Sequence, residues 1–368
     1  GDLTTTRRSD QNCGLVAVLA AQAQNPYWRW YVETHSKTNG KSEDRAPDRE
    51  QRLGAVKAGR SLYIDFMRGA LPQVTAKAPV DLPASKCFRG TGIAVLNADL
   101  MDAKNNVEVI FKSSPFGSQS HGFDAQNSFS LFAFGERLLV HTGQRDIHGS
   151  DHHKNWMHET KSTNSIGVNG LGQGKNTATA RGEILDFQTS ATFDYVSGEA
   201  GSAYEGRVDR FIRRILFVKP EVVVIFDSLE TPEPATFQWY LHAPTEMQIE
   251  GSHVQVVHGQ AACEVSFLQP GKMAIGQTDK FDPPPRERIQ LVEYHLTAKT
   301  KDPMDRQTFV TVLQPHRVDE VPGGEPGLMS AGDGFALSVP LLRGRVEVLM
   351  QGTGGQDVSH NGVRTDGE

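Results

Sequence analysis

The hydrophobic period of this chain changes at residues 71–85, and few folds can accommodate what lies on both sides. The stretch is LPQVTAKAPVDLPAS, whose three prolines and small side chains suit a connector. Upstream, apolar residues are spaced for helices. Downstream they alternate in short runs separated by Gly and Pro turns, the period of strands with one buried face. Such a chain is α+β, with its helices segregated at one end of an antiparallel sheet structure.

Three helices are predicted upstream. Residues 11–24 (QNCGLVAVLAAQAQ) are rich in Ala and Leu. Pro26 opens a second segment, PYWRWYVETHS, at a position where its missing N–H costs nothing. Residues 47–68 form a third, weakened by Gly54 and Gly59. Three such helices cannot bury all their apolar faces, so they read as the end of a larger helical array. Tyr27, Trp28, Trp30 and Tyr31 line a sugar groove or, as their helical spacing favours, pack between helices.

Downstream, strands are expected at residues 92–98, 107–112, 128–134, 138–141, 165–168 and 183–189. The pair 213–218 and 221–227 is joined at Lys219-Pro220, a hairpin signal. Further strands are expected at 236–242, 253–257, 263–268, 289–297, 307–313, 335–339 and 345–351. Many short strands with such turns imply an antiparallel sandwich or supersandwich. The final SHNGVRTDGE has an Asn-Gly turn but no convincing return strand, so the chain reads either as cut at both ends or, more simply, as ending in a flexible tail.

The formal charge of −6 argues against nucleic acid as the main partner, although a local basic cleft can still bind an acidic sugar. No run is long and apolar enough for a membrane span. Cys13, Cys87 and Cys263 lie far apart in sequence and read as small buried hydrophobes. With no Rossmann glycine fingerprint or P-loop, a nucleotide cofactor is not expected.

Six of the thirteen histidines fall between His121 and His158. Imidazole titrates nearest neutrality, so the cluster points to proton transfer or metal binding, or else to a polar loop. Arg145, His148, His152, His153 and Lys154 offer donors that can grip a carboxylate or sulfate. Trp156 is either a stacking face for a sugar or part of the core.

The same region carries FRGTG (88–92), FKSSPFGSQSHGFDAQNSF (111–129), AFGERLLVHTG (133–143), HGSDHHKNW (148–156) and TKSTNSIGVNGLGQGK (160–175). With FQWYLHAP (237–244), these segments resemble the C-terminal region of the heparinase II/III-like polysaccharide lyases, in the branch of oligoalginate and exo-acting glycosaminoglycan lyases. The resemblance implies the C-terminal helices of an incomplete α/α toroid followed by a large antiparallel β-sandwich. It divides the chain into toroid helices at 1–70, a linker at 71–87 and a sheet domain at 88–368. It implies β-elimination at a uronic acid of an acidic polysaccharide, and a periplasmic or secreted protein.

His121 stands at the family's sheet-domain histidine, as general base or proton-transfer residue. Arg145 and His152 are expected substrate contacts. Gln126 and Asn127 either bind substrate or, the more favoured reading, hydrogen-bond their own loop. Relatives bind a structural zinc at positions that here are Phe123, His141 and Thr163, a set that cannot ligate it. That metal site is expected to be lost. The family's toroid tyrosine and its carboxylate-holding Asn and His have no match in residues 1–69. The competing expectation is a non-catalytic carbohydrate-binding or structural β-domain on the same scaffold.

Overall fold

A computed structural model describes residues 13–36, 72–119, 122–144, 147–332, 334–351, 358–360 and 363–365. Its contacts divide the chain into two compact units, one within residues 5–82 and the other running from Pro83 onward.

In the first unit, α1 (Cys13–Gln22) and α2 (Pro26–Ser36) form within the two segments expected to be helical. Asn25 caps α2: its Oδ1 accepts the backbone N–H groups of Tyr27 and Trp28, both at 3.0 Å. Tyr27 donates its hydroxyl to Asp81 at 2.9 Å, Tyr31 stacks on His35, and Trp28 is partly exposed. The third expected helix, at 47–68, lies outside the described residues.

The second unit is built from antiparallel sheets. The first has five strands in chain order: β1 (Lys86–Phe88), β2 (Ile93–Asn97), β3 (Val107–Lys112), β4 (Ser128–Ala133) and β5 (Glu136–Leu139). Strand β3 shows why: Val107, Val109 and Phe111 are fully buried, while Glu108, Ile110 and Lys112 point the other way.

The largest sheet uses β7 (Glu183–Thr189), β8 (Phe193–Glu199), β9 (Arg210–Val218), β10 (Val222–Ala235), β12 (Gln248–Glu250), β13 (His253–His258), β14 (Ala261–Gln269) and β17 (Met304–Arg317). Their spatial order is β12-β13-β14-β17-β10-β9-β8-β7. A four-stranded sheet runs β15 (Met273–Thr278), β16 (Tyr294–Thr300), β11 (Phe237–Ala243), β6 (Ile166–Val168). A smaller sheet comprises β18 (Gly327–Ala331), β19 (Gly334–Leu341) and β20 (Gly344–Met350).

Side chains from the five-, eight- and four-stranded sheets share the main core, including Phe111, Leu131, Phe217, Trp239 and Leu296. A second core lies on the opposite face of the large sheet, under the three-stranded one. Strand β10 serves both: Val223, Ile225 and Leu229 face the main core, and Val222, Val224 and Phe226 face the second. Burial on both faces is why its sequence shows no alternation.

The hairpin expected at Lys219-Pro220 forms, with Val218 opposite Val222. Two expectations are corrected. Residues 289–293 are irregular and the strand begins at Tyr294, because the partner register with β11 starts there. A return strand does exist near the end, β22 (Val363–Thr365), paired with β21 (Val358–His360). Strand β8 (FDYVSGE) was not expected, since its Gly198 and polar residues obscure the alternation. Gly198 is required there because a Cβ would meet the ring of Phe111 at 2.7 Å. Cys13 and Cys263 are buried and Cys87 is partly buried, as expected of small hydrophobes.

Candidate functional site

The loops leading into β4 and following β5 converge on a pocket of about 500 Å³. Its lining includes Asp124, His148, His153, Lys154, His158 and Lys175. The loop before β4 is pinned from several sides. Ser118 Oγ donates to the Gly174 carbonyl at 2.6 Å, and Asp124 N–H donates to the His158 carbonyl at 2.8 Å. The Asp124 carbonyl in turn accepts the Thr160 hydroxyl at 2.7 Å.

Gln126 and Asn127 complete that framework. Both are fully buried. The Gln126 amide accepts Ser114 N–H at 2.7 Å and donates to the Ala180 carbonyl at 3.0 Å. Asn127, in the left-handed region at φ 53°, donates to the carbonyls of Gly198 and Phe211. Both amide nitrogens and the Gln126 oxygen are engaged with backbone groups, whereas Asn127 Oδ1 has no partner among the described residues. Beneath them Arg213 grips Asp227 in a bidentate pair (2.6 and 2.8 Å) and donates to the carbonyls of Asn127 and Asn164.

Phe123 and His141 meet edge to face, ring centroids 4.4 Å apart, and Phe123 also lies 4.9 Å from the His158 ring. His141 Nε2 lies 3.0 Å from the Met157 carbonyl, so that nitrogen carries its proton and donates. Burial pushes its pKa down to about 4. The Thr163 hydroxyl donates to the Thr160 carbonyl. Among the described residues, no group of three or more His, Cys, Asp or Glu is arranged to hold a metal ion.

The pocket is lined by successive imidazoles. The His148 and His153 rings are 5.1 Å apart, and those of His153 and His158 are 4.6 Å apart. A single π-helical turn (His153–Met157) separates His153 from His158, a local widening that recurs at functional sites. Gly149 N–H donates to His153 Nδ1 at 3.2 Å, which leaves the proton of the neutral ring on Nε2.

Asp124 is the acid of the pocket. It is 2 % exposed, and its Oδ2 has no hydrogen-bond partner among the described residues. Burial raises its pKa to about 7, although a Ser118 hydrogen bond and the charge of Lys175 pull the other way. Nearby Lys112 is pushed down to about 8 by burial and donates to the Phe123 carbonyl at 3.1 Å. A carboxyl and an amine that both titrate near neutrality thus flank the loop. At the rim, Lys175 pairs with Glu159.

His121 and Arg145, the residues expected to act as base and as anion contact, lie outside the described residues. His152 is 1 % exposed, with Nδ1 2.8 Å from the Pro283 carbonyl and its ring against Phe281. Trp156 belongs to the core: it is 5 % exposed and packs on His295 and Phe281. Gly143 allows this, since a Cβ there would meet Trp156 Cδ1 at 2.8 Å. Asp124, His158 and Lys175 line the pocket without a role expected of them from sequence. Asp124 follows His121 by three residues, but its burial, which gives it chemical interest, leaves no local signal.

Residues 80–318, more than half of the chain, match the heparinase II/III-like C-terminal family. No curated protein sequence matches. Among solved structures, the chain resembles a heparinase III gene product (TM-score 0.62, 13% identity, covering 88% of this chain and 53% of that one). It also resembles the heparan sulfate lyase HepC from Pedobacter heparinus (TM-score 0.62, 14% identity, 88% and 53%). A further heparinase III structure matches at TM-score 0.59 and 13% identity, covering 78% of this chain and 46% of that one. The chain spans about half the length of these relatives, and at such identities the likeness is one of fold.

Proposed function

Because the chain belongs to the heparinase II/III-like family, we propose that it supplies the β-sheet side of a polysaccharide-lyase active site cleaving uronic-acid chains by β-elimination. One observation carries this reading: a buried Asp124 oxygen, without a hydrogen-bond partner among the described residues, in a pocket walled by imidazoles and rimmed by lysines. The C5 proton of a uronate is weakly acidic, so its carboxylate must be neutralised or hydrogen-bonded before the proton leaves. Lys154, Lys175 and His148 are suited to that task, and to sulfate groups on the same polymer.

The reaction also needs a base at C5 and an acid at the departing glycosidic oxygen. His121 is assigned the base or proton-transfer role, and Arg145 a contact to the anionic substrate. His152 joins that contact only if the segment bearing Phe281 and Pro283 moves. Gln126 and Asn127 hold the loop that carries His121. The helices α1 and α2 are read as the last of an α/α toroid ending near residue 70, followed by a linker at 71–87 and the sheet domain at 88–368. Heparan sulfate, named for one structural relative, makes glycosaminoglycans the first substrates to test. A polymeric substrate of that kind implies a periplasmic or secreted protein.

The experiment is formation of unsaturated uronate, followed by ultraviolet absorbance, with heparan sulfate, chondroitin sulfate and alginate as substrates. His121→Ala in the intact enzyme is expected to abolish product formation, and retention of activity would sink the assignment. Saccharide binding without product, by the unaltered enzyme, would favour a non-catalytic carbohydrate-binding domain.

A further inference from the structure

A second concavity lies on the outer face of the large sheet, where the three-stranded sheet stops covering it. It encloses about 360 Å³, within the range of small-ligand pockets, and shares no lining residue with the histidine pocket. Strand alternation sets the separation. Arg213 points into the main core under the pocket loop, so Arg214 points to the opposite face.

Two adjacent rows of paired residues make the floor. Asp186 lies opposite Ser197, Ser197 opposite Arg214, and Arg214 opposite Phe226. In the next row Gln188 lies opposite Tyr195 and Tyr195 opposite Leu216. The Phe193 ring, 39% exposed, stands at the open end.

Arg214 gives this groove its chemistry. Its guanidinium lies 5.5 Å from the Phe226 ring centroid, and its Nη1 donates to Ser228 Oγ at 3.4 Å. No carboxylate among the described residues lies within ion-pair distance of it. Its neighbours are Tyr195, which hydrogen-bonds it, the like charge of Arg210, and the more distant Asp227, already committed to Arg213. Burial consequently outweighs compensation and lowers its pKa. A half-buried cation with no ion-pair partner among the described residues favours an anionic ligand. Asp186 also lines the groove, where its oxygens accept Phe187 N–H and the Gln188 amide. Around Arg214, aromatic faces suit the C–H face of a sugar ring, and the Gln188 and Asp186 edge suits its hydroxyls.

We propose that this groove is a second saccharide-binding site, which holds an acidic oligosaccharide with a carboxylate or sulfate on Arg214 and a sugar ring against Phe193 and Tyr195. The proposal rests on the reading of the protein as one that handles acidic polysaccharide. A site remote from the pocket would keep a long polymer attached between cleavage events.

The test is calorimetric titration of the 368-residue chain with a heparan-sulfate-derived hexasaccharide, repeated with single variants. Two sites are expected. Arg214→Gln should weaken one of them by about tenfold or more, as loss of a charge-assisted contact does. Phe193→Ala should weaken the same site, and its exposed position keeps folding out of the comparison. Lys175→Ala should affect the other site only. In the intact enzyme, Arg214→Gln should leave cleavage of short oligosaccharides unchanged and slow cleavage of long polymer. If Arg214→Gln and Phe193→Ala both bind like the unaltered protein, the inference is overturned while the lyase reading stands. If the groove variants lose binding but the intact enzyme forms no unsaturated product from any uronate polymer, the lyase reading fails and the groove remains. No binding at all overturns the groove proposal.

Discussion

At Asp124, function and stability oppose each other. In the unfolded chain its carboxyl ionises near its ordinary value of 3.8, whereas in the fold burial holds the proton until about pH 7. Between those values the folded state binds more protons than the unfolded one, so this residue costs stability as pH rises from about 4 to about 7. Asp124→Asn is therefore expected to raise the melting temperature above pH 7, by roughly 2–4 °C for each kcal/mol recovered, and to change it little near pH 4. Thermal scans of both proteins across that range check this; an equal shift at both ends would show that ionisation is not the cause. The residue lies in plain view within SHGFDAQNSF, yet its interest comes from burial and from an Oδ2 without a hydrogen-bond partner among the described residues, neither of which is written locally.

Among elements, the decisive contact joins β9 and β10 to the pocket loop. Arg213 and Asp227 are register partners on adjacent strands, both with fully buried side chains. Asp227 also accepts the Trp239 indole N–H at 2.8 Å, and Arg213 reaches the Asn127 carbonyl at 2.7 Å. Removing one member leaves a buried charge without its counter-ion, so Asp227→Ala should cost about 3–5 kcal/mol. Urea denaturation reads that loss directly, and a change below ~1 kcal/mol would mean the pair is not what anchors the loop. The loss should also reach the pocket, since Arg213, the donor to the carbonyls of Asn127 and Asn164, is no longer held in place by Asp227. Strands such as β3 and β9 were legible because one of their faces is buried and the period of two survives. The start of β16 and the whole of β8 were less so: partner register decides the first, and a glycine accommodating Phe111 interrupts the second.

For the whole molecule, buried histidines set the response to acid. His242 and His295 face each other through Nδ1 atoms 3.2 Å apart, beside Trp156 and Phe281. Burial pushes His141 and His295 down to about 4 and His242 well below its ordinary value. A depressed folded pKa means that the unfolded state takes up protons first, near 6.5. Their contribution is complete above about pH 6.5 and is lost progressively as pH falls toward 4. His295→Phe should flatten that decline, and chemical denaturation at a series of pH values would reveal a slope that fails to change. This trend runs opposite to that of Asp124, so comparing variants separates the two.

The order of helices, connector and antiparallel strands, and the family likeness of residues 88–175, follow from the residues alone, because hydrophobic period and turn chemistry are local properties. They also suffice to mark the stretch from His121 to His158 as chemically unusual. Which histidines are exposed to a pocket and which are neutral core groups follows from tertiary contact. His153 and His158 line the pocket while His141 and His295 are silenced by burial, and in sequence they look alike. The same holds for the arginines at 213 and 214: neighbours in the chain, they serve opposite faces of one sheet, one paired with Asp227 in the core and the other lining the outer groove. Burial and the presence of a counter-charge depend on residues far away in the chain, and these two quantities determine what an ionisable side chain does.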